Sequence, residues 1–104
     1  MSYTPSNKQI FIPTTGTTVT IANADSGRIK CIVNPAGTLL ALTIAMPPTP
    51  KDGQEVSIAC SQILTGLTMT SGGTILGALT TIAAVNGFAS WVYDLASTTW
   101  FRIG

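Results

Sequence analysis

The sequence is short of charge. Asp, Glu, Lys and Arg make up 9% of its 104 residues, against about 25% in an ordinary soluble domain. It has no histidine, which removes the side chain that most often serves as a near-neutral acid or base and as a metal ligand. Five scattered bases and a net charge of +1 leave no electrostatic footprint for nucleic acid. Cysteine is scarce as well. Cys31 and Cys60 lack the C-x-x-C spacing of a redox or zinc motif, and no histidine could complete a ligand set. Both occupy apolar-parity positions in expected strands, which favours buried free thiols. A disulfide stays open, because pairing is not readable from sequence.

Export and membrane signals are also missing. The opening Met1-Ser2-Tyr3-Thr4-Pro5-Ser6-Asn7-Lys8 has neither a basic n-region nor an apolar h-region, so it is not a secretory signal. No charge occurs from Val56 to Tyr93. Even so, Thr, Ser, Gly, Gln and Asn break that stretch too often for a membrane helix of about 20 apolar residues. No membrane partner is expected.

What replaces the charge is Thr, Ser and Gly around an ordinary apolar content of 45%, with a mean hydropathy of +0.43. High hydrophobicity with low net charge is the opposite of a disordered composition. A chain of this length makes one domain and can bury roughly two-thirds of its unfolded surface.

The apolar period is two rather than 3.6. Val19 and Ile21 alternate with Thr18 and Thr20. Ile29, Cys31 and Val33 alternate with Arg28, Lys30 and Ile32, and Val56, Ile58 and Cys60 with Glu55, Ser57 and Ala59. Leu40, Leu42 and Ile44 read as a further apolar row, and Leu67 and Met69 alternate with Thr68 and Thr70. Residues 79–83, 88–93 and 99–103 complete the strand-like runs, and a weak helical pattern over 77–85 is undercut by its two threonines and isoleucine. Turn signals separate the runs at Asn23-Ala24-Asp25-Ser26-Gly27, Asn34-Pro35-Ala36-Gly37, Lys51-Asp52-Gly53, Ser71-Gly72-Gly73 and Asn86-Gly87. Pro47-Pro48-Thr49-Pro50 reads as an extended connector, since proline cannot feed a ladder. Short strands at this spacing predict an all-β fold, an antiparallel β-sandwich or jelly-roll-like barrel over residues 14–104. Residues 1–13 stand apart as an extended N-terminal segment, either an arm to a neighbour or the first edge strand.

Chemistry is sparse. No serine or cysteine has a histidine to activate it, and Lys8, Lys30 and Lys51 sit in no Ser-x-x-Lys motif. Asp52 and Glu55 form the one close carboxylate pair, but Asp before Gly is first a turn signal. Four dispersed acids build no calcium loop, and Gly72-Gly73 lacks the Lys-Ser/Thr of a phosphate loop. No catalytic residue, cofactor or metal site is therefore expected. Trp91, Tyr93 and Trp100 cluster near Phe101 and Arg102. They read first as a cross-strand aromatic cluster closing the last hairpin, and alternatively as a recognition surface for a base or sugar. A β domain this poor in charge needs its apolar surface covered by another chain, which points to an assembly part.

Two stretches carry a resemblance. Pro47-Pro48-Thr49-Pro50-Lys51-Asp52-Gly53-Gln54-Glu55-Val56-Ser57-Ile58 resembles a segment of tailed-bacteriophage virion proteins. Asn86-Gly87-Phe88, followed by Trp91-Val92-Tyr93 and Thr99-Trp100-Phe101-Arg102-Ile103-Gly104, is similar to the ending of phage fibre, tail and head-decoration proteins. The likeness runs over about residues 36–104. It implies a non-enzymatic, β-rich and often trimeric virion component, assembled in the bacterial host cytoplasm. With only residues 1–35 ahead of the similar part, it favours a trimeric capsid decoration (cement) protein or short head fibre on the capsid surface, bound to the major capsid protein. Ile10, Phe11 and Ile12 would then anchor it to capsid or neighbouring subunit. The other expectation is a tail or fibre-tip host-recognition module, with Trp91, Tyr93 and Trp100 touching surface glycan.

Overall fold

The computed structural model describes residues 7–23, 27–82 and 86–104. Among them are nine strands and no helix: β1 (Asn7–Phe11), β2 (Thr17–Thr20), β3 (Arg28–Val33), β4 (Leu42–Ala45), β5 (Glu55–Cys60), β6 (Leu67–Thr70), β7 (Thr74–Ile75), β8 (Gly87–Asp94) and β9 (Thr99–Arg102). The fold is all-β, but its pairing is mostly parallel, which corrects the expected antiparallel sandwich or jelly roll. Consecutive strands from β1 to β6 alternate between two sheets. The odd ones join a six-stranded sheet A of order β1-β3-β5-β8-β9-β7, and the even ones a three-stranded sheet B of order β2-β4-β6. Each return to a sheet lands in parallel beside the strand of the preceding turn, so the chain winds as a solenoid-like coil.

The physical reason is a repeat of 25 residues on the sheet B side. Thr17↔Leu42↔Leu67, Thr18↔Thr43↔Thr68, Val19↔Ile44↔Met69 and Thr20↔Ala45↔Thr70 are lateral neighbours. The corner before these strands stacks in the same register. Gly16 N–H donates to the Ala41 carbonyl (2.7 Å) and Leu42 N–H to the Gly66 carbonyl (2.9 Å). Gly66 must lack a side chain there, because a Cβ would stand 2.5 Å from the Leu40 carbonyl oxygen of the turn before. A coil buries one face of each strand, and period-two alternation is all that requires. Ala24, Asp25 and Ser26 of the first turn signal lie outside the described residues; among the others, Lys51-Asp52-Gly53, with Gly53 at φ +77°, leads from sheet B to sheet A rather than reversing a hairpin.

The inward residues close one core between the sheets. Val19, Ile44, Ile29, Cys31, Val33, Val56, Ile58, Cys60 and Leu64 are buried in it. Leu40 departs from the expected apolar row: it is exposed, while Leu39 is buried and bridges Leu64. The alternation restarts only at Leu42, after the corner. Residues 79–83 form no strand over their described part, residues 79–82. Ile82 makes an antiparallel bridge to Leu64, and the Thr80 carbonyl accepts Leu67 N–H, covering the last turn beside β6. On sheet A the last turn is closed by β8, antiparallel to β5, and by the β8–β9 hairpin turned at residues 95–98. The opposite end is different. β1 and β2 are edge strands.

Candidate functional site

The N-terminal segment singled out by sequence holds β1, paired in parallel with β3 through Asn7↔Ile29 to Phe11↔Val33. Residues 1–6 lie outside the described residues. Strand alternation splits the three apolar candidates. Ile10 and Ile12 point outward and are 52% and 74% exposed, whereas Phe11 packs against the core. Phe11 is thus part of the fold rather than an outward anchor.

Ile10 has neighbours that sequence reasoning missed. The register places Ile10↔Ile32, Ile32↔Ala59 and Ala59↔Phe88 side by side across β1, β3, β5 and β8. The four side chains make one apolar row on the outer face of sheet A, ending at Phe88, which is 73% exposed. A groove of about 390 Å³ runs over β3, β5 and β8 at this row, and a neighbouring hollow of about 440 Å³ lies between Ile32, Ala59, Ser61 and Phe88. Below it comes a row of Lys8, Lys30, Ser57 and Ser90, in which the Ser57 and Ser90 hydroxyls are 3.0 Å apart. Arg28, Glu55, Val92 and Phe101 follow, with Arg28 Nε donating to Glu55 Oε2 at 3.2 Å. The row was hidden because its members sit at the polar parity of four separate strands. Only the register joins them.

The aromatic candidates are in the interior. Trp91, Tyr93 and Trp100 are buried. Tyr93 and Trp100 face each other across the β8–β9 ladder with ring centres 4.9 Å apart and planes tilted by 50°. Trp91 Nε1 donates to the Leu76 carbonyl (3.1 Å), and the Arg102 guanidinium lies 5.9 Å from the Trp91 ring. They form the cross-strand cluster that closes the hairpin and present no open face to a glycan, which corrects the surface-recognition alternative. The cleft that Tyr93 and Trp100 border, with Pro47, Pro48 and Pro50, holds about 120 Å³. That is well below the ~300–1,000 Å³ of ordinary ligand pockets.

The remaining polar candidates have structural partners. Asp52 Oδ1 accepts Leu95 N–H (3.0 Å), tying the corner of residues 51–54 to the last hairpin turn. Glu55 carries the ion pair with Arg28. Among the described residues no three His, Cys, Asp or Glu side chains cluster as metal ligands, and no helix is long and apolar enough to cross a membrane. Cys31 and Cys60 are free and buried. Burial pushes the Cys31 thiol up to about 12, with the neighbouring Cys60 adding to the rise. Cys60 is raised for the same first reason, burial, and its Sγ–H donates to the Gln62 carbonyl (3.1 Å). Thiols held protonated in an apolar interior are poor nucleophiles and poor metal ligands.

No family model matches the chain, and a search of curated proteins found no relative.

Proposed function

We propose that the protein is a non-enzymatic bacteriophage virion component, a capsid decoration protein or short head fibre that binds the major capsid protein through the outer face of sheet A. The observation that carries this reading is the in-register row Ile10–Ile32–Ala59–Phe88, displayed on a β domain with only 9% charged residues. An apolar row spanning four strands suits protein–protein contact, because burying it removes apolar area from water at about 25 cal/mol per Å². Host glycan recognition has less support, since the aromatic rings it would use are buried. The N-terminal segment contributes through Ile10 and Ile12.

Deleting residues 1–13 would strip β1 from β3, so point changes test the reading more cleanly. Ile12→Asp and Phe88→Ser are expected to leave the coil folded and to abolish binding to undecorated heads of the encoding phage in a co-sedimentation assay. Full occupancy by both variants would contradict the proposal.

A further inference from the structure

Resting on the reading of this chain as an assembly part, we propose that away from the capsid the outer face of sheet A is covered by a second copy of the same chain, which the major capsid protein displaces on binding the same row. The two copies are related by a two-fold axis that runs along the strands above the seam between β3 and β5. Such an axis turns one sheet over onto the other and exchanges the positions of β3 and β5, and of β1 and β8. Position by position, Ile32 of one copy then faces Ala59 of the other, and Ile10 faces Phe88. Large meets small in the middle of the row, with the groove above Ala59 available to the incoming Ile32 side chain. Lys30 faces Ser57, and Lys8 faces Ser90. Arg28 faces Glu55 and Glu55 faces Arg28, so the two ion pairs, each 3.2 Å within its own chain, merge into a quartet of alternating sign.

Charge selects this axis over its rivals. An axis above β3 stacks Lys30 on Lys30 and Arg28 on Arg28. One above β5 stacks Glu55 on Glu55 and leaves Ala59 facing Ala59. One running across the strands over Lys30 lays the apolar row on the Arg28–Glu55 row, and one running across the strands over the apolar row keeps that row on itself but does not bring Arg28 opposite Glu55. Only the β3/β5 seam opposes unlike charges and keeps apolar on apolar, as a self-complementary two-fold interface requires. Aligned sheets pack face to face about 10 Å apart, close enough for these side chains to interdigitate. A three-fold assembly joins two different patches and does not use this complementarity.

Sedimentation velocity on the full chain over about 10–500 µM should show a species of twice 10.8 kDa. Ala59→Arg and Arg28→Glu should each weaken association by about tenfold or more, while Arg28→Glu combined with Glu55→Arg should restore it. Mixing the single variants Lys30→Cys and Ser57→Cys should give a disulfide-linked dimer that neither forms alone. Circular dichroism verifies that each outward-facing variant is folded. A monomer at every concentration, a trimer, or a dimer indifferent to Ala59→Arg would overturn the proposal. A monomer that still decorates heads would do so while leaving the virion reading intact.

Discussion

Adding one methyl group at Gly66 tests the coil directly. In the structure a Cβ there meets the Leu40 carbonyl oxygen at 2.5 Å, with the Leu40 carbonyl carbon and Ala41 Cα also within 4 Å. All three are backbone atoms of the preceding turn, so no side chain can swing aside. The corners must separate by most of an ångström. That movement strains the hydrogen bonds holding them, Thr65 N–H to the Leu39 carbonyl (3.0 Å) and Leu42 N–H to the Gly66 carbonyl (2.9 Å). At about 0.5–1.5 kcal/mol per bond, their loss costs about 1–3 kcal/mol. Reduced freedom of the unfolded chain offsets about 0.4–1 kcal/mol of this. Gly66→Ala is therefore expected to destabilise by about 1–2 kcal/mol. Gly37→Ala, where a Cβ meets nothing within 4 Å, should be neutral or slightly stabilising. Urea unfolding followed by circular dichroism reads both as midpoint shifts at unchanged slope. Equal midpoints for the two variants would refute the stacking of residue 66 on residue 40, and with it the parallel winding.

Trp100→Ala should cost about 3–5 kcal/mol, as for other buried aromatics, seen as a large drop in the urea midpoint. A well-folded variant would contradict the packing of Trp100 against Tyr93. Cys31 predicts an alkaline limit to stability. Its thiol stays protonated in the folded chain up to about 12, while in the unfolded chain it ionises near its ordinary 9.0. Stability from this group is intact below pH 9 and falls as pH rises towards 12, by about 4 kcal/mol in all. Cys31→Ala should lose less stability than the parent chain between pH 8 and pH 11, and an equal loss would contradict the assignment. Both thiols should resist a thiol reagent in the native protein at pH 8 and react at once in denaturant, whereas rapid native labelling would contradict their burial.

Strand positions were legible because alternation is local. Ile29, Cys31 and Val33, or Val56, Ile58 and Cys60, reveal a buried face whatever strand lies alongside. Pairing direction was not legible from alternation, since both parallel and antiparallel ladders bury every second residue. The missed signal was the internal repeat of Thr17-Thr18-Val19-Thr20, Leu42-Thr43-Ile44-Ala45 and Leu67-Thr68-Met69-Thr70, a spacing typical of solenoids. Its weight was masked by Asp-Gly and Asn-Gly pairs that usually mean hairpins. The one hairpin between consecutive strands among the described residues turns at residues 95–98 without glycine, using Thr98 at φ +49° and Asp94 accepting Ser97 N–H. The candidate face was half visible. Ile10 and Ile12 stood out because they belong to the N-terminal segment, which the phage resemblance marks as the anchor. Ile32, Ala59 and Phe88 joined them only through lateral register, which no single strand encodes.

Immunogold labelling of the phage virions proposed to carry this chain, with antibody raised against it, addresses the central claim most directly. The account predicts gold distributed over the head surface, and its loss when the chain carries Ile12→Asp. Gold confined to the tail tip, or virions without the protein, would contradict it.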